Sequence, residues 1–153
     1  DGPWRNIQIV QNENYVMIYG EDHTSPRIVR LNSQHFKPAF AKFFGDSVGF
    51  WEDGTLVVHT TSFRPDQSNR RLRSSERLKV IERYTPVSDS EIVLEFEITD
   101  PQIYSETIKS RLTLQRMASG QRLYESGCHE GNYSLPSILA GARRQEVEGR
   151  LTR

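Results

Sequence analysis

The sequence SVGFWEDGTLVVHTTSF, residues 47–63, decides the fold. Within it, the runs Ser47 to Glu52 and Thr55 to Phe63 are rich in β-forming residues and flank the dipeptide Asp53-Gly54. An Asp-Gly pair between two such runs is typical of a type I′ hairpin, because both turn residues need a positive φ. This stretch therefore predicts two antiparallel strands joined by a two-residue turn.

Strand patterns continue on both sides of this hairpin. In Glu91 to Thr99, apolar residues alternate with mainly acidic ones, and Thr107 to Gln115 alternates in the same way with basic and polar residues. A period of two predicts half-buried strands, and an acidic face beside a basic face predicts cross-strand pairing. The other predicted strands are Ile7 to Gln11, Tyr15 to Tyr19, Arg27 to Leu31, Arg77 to Tyr84 and Gln121 to Cys128.

One helix is predicted near the end of the chain. Leu135 to Val147 has apolar residues at helical spacing, with Ser134 as the expected N-cap and Pro136 in the first turn. Together, the pattern predicts an all-β fold, an antiparallel barrel of about eight or nine strands of the lipocalin or calycin type. The short C-terminal helix is expected to pack at one end or on its side. Residues 1–153 are expected to form one domain, with frayed ends at 1–6 and 148–153.

The composition excludes several classes of function. The 153 residues include 20 Lys+Arg and 20 Asp+Glu, so the net charge is zero and nucleic acid is not an expected partner. No stretch reaches the roughly 18 consecutive apolar residues of a transmembrane helix. The single cysteine, Cys128, allows neither an intrachain disulfide nor a four-cysteine zinc site. Because the sequence has no P-loop, Rossmann or metal-ligand motif, we expect no cofactor and no metal.

The segment YESGCHEGNY, residues 124–133, is the chemically densest part of the sequence. It places a thiol, an imidazole and a carboxylate where the last predicted strand ends. His129 beside Glu130 is a candidate general acid or base near neutral pH. The alternative is structural, with Glu130 capping the following turn and His129 bound to a backbone carbonyl. We expect Cys128 to be a buried, unreactive thiol.

Other candidate site residues lie elsewhere in the chain. His59 faces the side of its strand opposite Leu56 and Val58, and if that side lines a lumen, His59 and His129 can share a substrate. Trp51 lies in Gly49-Phe50-Trp51, which resembles the lipocalin Gly-x-Trp, although a core aromatic is the alternative. The candidate catalytic residues are His129, Glu130, His59 and Asp46, and the candidate ligand-binding residues are Trp51, Tyr124, Tyr133, Arg83 and Asn132.

A series of short motifs extends over most of the chain. They are Gly45 to Gly49, Trp51-Glu52, Thr55 to Val58, Thr60-Thr61, Glu82 to Tyr84, Cys128 to Tyr133 and Gly141 to Arg143. In this order they resemble the C-terminal domain of a widespread group of exported bacterial proteins of unknown function. The resemblance implies a periplasmic or secreted protein, which fits a chain that begins at Asp1, and it implies no reaction. His59 stands where the group has an acidic residue, and Arg73-Ser74 where it often has histidines.

Two functions are compatible with these observations. The first is a β-barrel that binds a small apolar or aromatic molecule, with acid–base residues for cofactor-independent lyase, isomerase or cyclase chemistry. The second is a non-catalytic binding or interaction module at the cell envelope, for a ligand, a glycan or a protein. Because the same architecture occurs in enzymes and in binding proteins, the fold does not decide between these two functions. A homodimer is also possible.

Overall fold

A computed structural model describes residues 6–21, 26–37, 40–64, 73–124, 131 and 133–149. It contains eight strands and one helix. The strands are β1 (Ile7–Gln11), β2 (Tyr15–Gly20), β3 (Arg27–Leu31), β4 (Asp46–Glu52), β5 (Thr55–Thr61), β6 (Lys79–Ser88), β7 (Glu91–Thr99) and β8 (Ile108–Gln115), and the helix is α1 (Ser134–Val147).

The strands form a single sheet in chain order, from β1 to β8. Neighbouring strands are antiparallel except β3 and β4, which are parallel. A parallel pair needs a long crossover, and residues 32–45 provide it. The predicted all-β, barrel-like fold with one short C-terminal helix is confirmed, and the parallel pair is a departure from the predicted antiparallel barrel.

The predicted hairpin turn is also confirmed. β4 ends at Glu52 and β5 begins at Thr55, and the two residues between them have positive φ angles, 46° at Asp53 and 78° at Gly54. These angles match the right-handed twist of the flanking strands, which fixes the register of β4 on β5. Pairing of acidic and basic faces is confirmed where Lys109 Nζ lies 2.8 Å from Glu97 Oε1.

One face of the sheet carries the hydrophobic core. The buried core cluster consists of Val16, Ile18, Val29, Leu56, Val58 and Tyr84. Ile7 and Ile9 of β1 and Leu114 of β8 pack against the same cluster. Since the first and last strands contact one cluster, the sheet is strongly curled and the core lies on its concave face. Each buried aliphatic side chain contributes about 1.5–3 kcal/mol to this packing.

The curled sheet is a half-barrel. No ladder of hydrogen bonds joins β1 to β8 among the described residues, so the two edge strands leave a gap, called the seam below. The convex face carries the alternate set of residues, including Asp46, His59 and Arg83. Closure of the barrel is therefore incomplete in the part of the chain that the structure describes.

The C-terminal part of the chain differs from prediction in three ways. The N-cap of α1 is Tyr133, and Ser134, which was predicted in that position, is the first residue of the helix. None of the described residues of α1 is buried, so the predicted packing of the helix on the barrel is not observed. Of the strand predicted from Gln121 to Cys128, residues 121–124 are not in a strand, and residues 125–128 lie outside the described residues. Residues 1–5 and 150–153 of the predicted frayed ends also lie outside them. No helix of the described chain has the length and apolar character to cross a membrane.

Gly49 is a point of close approach between strands. It lies in β4 on the concave face, and a Cβ atom there would be 2.8 Å from Val29 Cγ1 and 3.2 Å from the Val57 carbonyl oxygen. We predict that Gly49→Ala lowers the free energy of unfolding by about 1–3 kcal/mol, because the added methyl overpacks this contact. Urea unfolding followed by circular dichroism measures the change.

The matched control is Gly141→Ala in α1, where a Cβ atom meets nothing within 4 Å. Alanine is the better helix former, so this change is expected to be neutral or to stabilise the chain by up to about 1 kcal/mol. A Gly49→Ala protein that unfolds at the same urea concentration as the unaltered chain would contradict the close packing of β3 on β4.

Candidate functional site

A cluster of charged residues surrounds Asp46 on the convex face at the start of β4. The buried Asp46 carboxylate accepts hydrogen bonds from Lys42 Nζ at 3.0 Å and from the Phe36 backbone N–H at 3.0 Å. His35 Nδ1 lies 3.1 Å from Asp46 Oδ2, and Arg30 Nη2 lies 3.3 Å from the same oxygen. Because His35, Phe36 and Lys42 belong to the crossover between β3 and β4, Asp46 fastens that crossover to the sheet.

The charge of Asp46 is stabilised in the folded protein. Burial alone would raise the pKa of Asp46, but hydrogen bonds from Lys42, Phe36 and His35, with the charge of Arg30, lower it below its ordinary value. The Arg30 guanidinium also lies 3.7 Å from the centre of the Phe36 ring, a cation–π contact. An ionised carboxylate with so many partners is suited to holding structure rather than to accepting a proton.

His59 also lies on the convex face, at the middle of β5. Its ring packs edge-on against Phe50, with ring centroids 5.8 Å apart. Burial, followed by the nearby charges of His35 and Arg83, lowers the pKa of His59, so its imidazole is neutral at neutral pH. No hydrogen bond joins His59 to Asp46 among the described residues. The sequence analysis considered that His59 faces a lumen. In the structure, His59 lies on the face of the sheet opposite the hydrophobic core.

The remaining predicted site residues are dispersed. Arg83 is on the convex face and its Nη1 lies 2.8 Å from Glu52 Oε2. Trp51 pairs with Leu56 at the exposed end of β4, and Tyr124 and Tyr133 are 74% and 77% exposed. His129, Glu130 and Asn132 lie outside the described residues. The described members of the predicted set therefore do not surround one cavity.

A charged group that the sequence analysis did not single out lies on the concave face. Arg27 of β3 donates from both terminal nitrogens to Glu82 of β6, with Nη1 at 3.0 Å from Oε1. The Tyr84 hydroxyl donates to the same Oε1 at 3.0 Å. The side chains of Arg27 and Glu82 are only 12% and 10% exposed. We call Arg27, Glu82 and Tyr84 the interior triad.

Arg27 stays charged and Tyr84 stays protonated at neutral pH. Burial alone would lower the pKa of Arg27, but the Glu82 carboxylate raises it above its ordinary value. Burial and the charge of Glu82 raise the pKa of Tyr84, so its hydroxyl stays protonated and donates. Arg27 Nε is buried and has no acceptor among the described residues.

The sequence contains a signal for the triad, because two charged residues occupy positions that the alternation of their strands assigns to the apolar face. Glu82 falls between Val80 and Tyr84 in the apolar register of β6, and Arg27 precedes Val29 and Leu31 in that of β3. A charged residue at a core position is unusual unless it is paired. Each position was therefore detectable, whereas the pairing of one with the other depends on the curl of the sheet.

The seam contains a cleft of about 700 Å³. Its apolar lining comes from β1, β6, β7, β8 and the segment after β8, namely Ile7, Ile9, Pro86, Ile92, Leu114 and Met117. Polar residues complete the lining, including Gln8, Ser88, Asp89, Ser90, Gln115 and Gln121. Ile7, Ile9, Ile92 and Leu114 also pack against the core cluster that includes Tyr84, so the cleft adjoins the core around the interior triad.

The backbone of β1 also faces the seam. The Glu21 N–H donates to the Asn6 carbonyl at 3.2 Å, and the Asn12 N–H donates to the Tyr15 carbonyl at 2.9 Å. These two bonds show which opposite pairs of the β1–β2 ladder are hydrogen-bonded and which are not. Because bonded and non-bonded pairs alternate in an antiparallel ladder, the backbone groups of Ile7 and Ile9 point away from β2, toward the seam. The cleft is thus bounded by backbone donors and acceptors as well as by apolar side chains.

Asp46 makes the stability of the chain depend on pH. We predict that Asp46→Asn lowers the free energy of unfolding at pH 7 by about 2 kcal/mol, the usual range for a hydrogen bond to a charged group. Since the folded pKa of Asp46 is below the unfolded value of 3.8, its contribution is present above about pH 4 and is lost as the pH falls through the folded pKa. Urea unfolding at pH 3 and pH 7 measures both effects.

The matched control is Glu52→Gln, which removes the exposed ion pair with Arg83. Such a surface pair contributes at most about 1 kcal/mol, so stability is expected to change little at either pH. If the deficit of Asp46→Asn were as large at pH 3 as at pH 7, the carboxylate charge would not be what fastens the crossover.

Comparison with known proteins finds no matching family model, no similar curated protein and no similar solved structure. The resemblance to exported bacterial proteins therefore stays a prediction. Among the described residues, no group of three or more His, Cys, Asp and Glu side chains is arranged to hold a metal ion. Function is accordingly inferred from the geometry of the chain itself.

Proposed function

We propose that this domain binds a small, largely apolar molecule in the seam cleft. The observation that carries the proposal is the cleft of about 700 Å³ between β1 and β8, lined by Ile9 and Leu114 from opposite edges of one sheet. Small-molecule sites usually have volumes of about 300–1,000 Å³, apolar walls and a few polar groups, and they occur in the mouths of β-barrels. The cleft falls within this volume range, and its apolar residues stand beside polar and charged ones such as Glu91 and Arg116.

Binding is better supported than catalysis. Asp46 and His59 lie on the convex face and neither lines the cleft, so these two candidate acid–base groups do not contact a ligand held there. Lyase, isomerase or cyclase chemistry thus depends on His129 and Glu130, and it stays a proposal secondary to binding. Export to the periplasm or beyond is likewise proposed from the motif resemblance alone.

A second candidate function is an interaction module at the cell envelope. Several large apolar side chains of the convex face and its crossover are exposed, among them Tyr15, Ile28, Phe36, Phe40 and Phe50. Exposed apolar groups of this kind are typical of protein contact surfaces. This surface is separate from the cleft, so the two candidate functions are tested by different variants.

The cleft is tested with the neutral fluorescent probe N-phenyl-1-naphthylamine. We predict that the unaltered chain binds the probe with increased fluorescence, and that Ile9→Gln weakens binding about tenfold or more because it places an amide in the apolar wall. Fluorescence titration gives the dissociation constants, and circular dichroism checks that the variant is folded.

The matched control is Val10→Gln, which makes the same kind of change one residue further along β1 on the convex face. It is expected to bind the probe like the unaltered chain. Absence of probe binding, or equal effects of Ile9→Gln and Val10→Gln, would overturn the proposal. Equal weakening by Phe50→Gln instead would move the binding surface to the convex face.

A further inference from the structure

We propose that the seam cleft receives a short, uncharged, extended peptide that pairs with β1 as an added strand and has apolar side chains at every second residue. This inference rests on the proposed function, because it uses the same cleft, and it names the chemical class of the ligand. Its basis is the outer edge of β1, whose seam-facing backbone groups belong to residues that line the cleft.

The edge of β1 offers a row of backbone hydrogen-bonding groups. Among the described residues, β1 pairs with β2 alone. The alternation of bonded and non-bonded pairs directs the N–H and C=O groups of Ile7, Ile9 and Gln11 toward the seam. Ile7 and Ile9 both line the cleft. A peptide that lies along this edge therefore reaches these backbone donors and acceptors from within the cleft, which is the way in which extended peptides add a strand to a sheet.

The directions of β1 and β8 favour a separate strand in the seam. Six of the seven strand pairings are antiparallel, and the pairing of β3 with β4 is parallel, so β1 and β8 run in the same direction. A direct pairing of β1 with β8 would be parallel, which is the slightly less stable arrangement. A peptide that runs opposite to β1 forms the more stable antiparallel arrangement, and it is antiparallel to β8 as well.

The two edges of the sheet differ in charge. β8 carries Lys109 and Arg111, which are 69% and 68% exposed, and charges on an edge strand oppose the addition of another strand. β1 has the sequence IQIVQ, with no charge and no proline, so it lacks this protection. The charged residues that line the cleft, Asp89, Glu91 and Arg116, all belong to the side formed by β6 to β8 and the segment after it. An uncharged peptide therefore suits β1.

The walls of the cleft determine the side-chain pattern of the peptide. A peptide residue directly opposite Ile7 or Ile9 points to the same face of the sheet as they do, which is the concave face. Ile92 and Leu114 line the cleft from the other side, so apolar side chains fit at these two positions. The peptide residue between them lies opposite Gln8 and points to the convex side, where a polar side chain such as threonine fits.

The first test is competition with N-phenyl-1-naphthylamine. The competitor is a five-residue peptide, acetylated and amidated at its ends, with valine at the second and fourth positions and threonine at the others. We expect it to displace the probe from the unaltered chain. A control peptide of the same composition has its two valines adjacent. It is expected to need an about tenfold higher concentration, because one valine then points away from the apolar wall.

The pairing itself is measured by amide hydrogen exchange, followed residue by residue with NMR on the unaltered chain. The amides of Gln8 and Val10 face β2, so they are expected to exchange slowly with or without the peptide. The amide of Ile9 faces the seam. It is expected to exchange fast in the free chain and about tenfold or more slowly when the peptide saturates the cleft, because the peptide then accepts its hydrogen bond.

A backbone variant removes the same donor. Ile9→Pro deletes the N–H that faces the seam and spares the β1–β2 ladder, and proline is tolerated at such a position of an edge strand. We expect it to weaken peptide binding about tenfold, because a peptide carbonyl loses its donor. The matched control is Ile9→Val, which keeps the N–H and is expected to bind the peptide like the unaltered chain. If Ile9→Pro does not fold, hydrogen exchange on the unaltered chain still decides.

The outcomes separate the two proposals. If the probe does not bind, or if Ile9→Gln leaves its binding unchanged, the seam cleft is not a ligand site and both proposals fail. If the probe binds but the alternating peptide displaces it no better than the control peptide, only the added strand fails. Slow exchange of the Ile9 amide before peptide is added would show an edge that is already paired, and it would also overturn the added strand. Equal effects of folded Ile9→Pro and Ile9→Val on peptide binding would do the same.

Discussion

The apolar side chains on the concave face of the sheet are buried mainly by contacts with one another. Among the described elements there is no second layer over it, since α1 buries none of its residues. The eight strands remove this face from water by curling, and the burial of apolar surface is the main driving force for the curling. β2, β3, β5 and β6 supply the fully buried side chains, while β1 and β8 at the edges are only partly covered. The seam follows from the same constraint.

The interior triad is the polar counterpart of this curl. β3 and β6 are separated in the sheet by β4 and β5, so Arg27 and Glu82 meet only because the sheet bends. A buried ion pair of this kind adds little net stability, but removal of one partner leaves an unpaired charge. The triad therefore contributes more to fixing the curvature of the sheet than to the free energy of unfolding.

Local features of the fold were predictable and tertiary ones were not. Asp53-Gly54 predicts its turn because the required φ angles are a property of two residues, and the alternation in β7 predicts its buried face because the side-chain period is fixed. The parallel pairing of β3 and β4 depends on the crossover that Asp46 fastens, which involves residues ten or more positions apart. The charged group of the concave face was not predicted for a related reason. The sequence analysis selected polar residues that are neighbours in sequence, such as His129 and Glu130. Arg27 and Glu82, by contrast, are 55 residues apart.

The consecutive order of the strands has a consequence for how the chain folds. Each strand pairs only with strands adjacent in sequence, so every pairing in the sheet closes the connection between two consecutive strands. The pairing of β3 with β4 is different, because parallel strands need the crossover of residues 32–45 in place of a tight turn. The antiparallel segments β1–β3 and β4–β8 are therefore joined into one sheet by a single parallel pairing, and the contact between Arg27 and Glu82 joins the same two segments across the core.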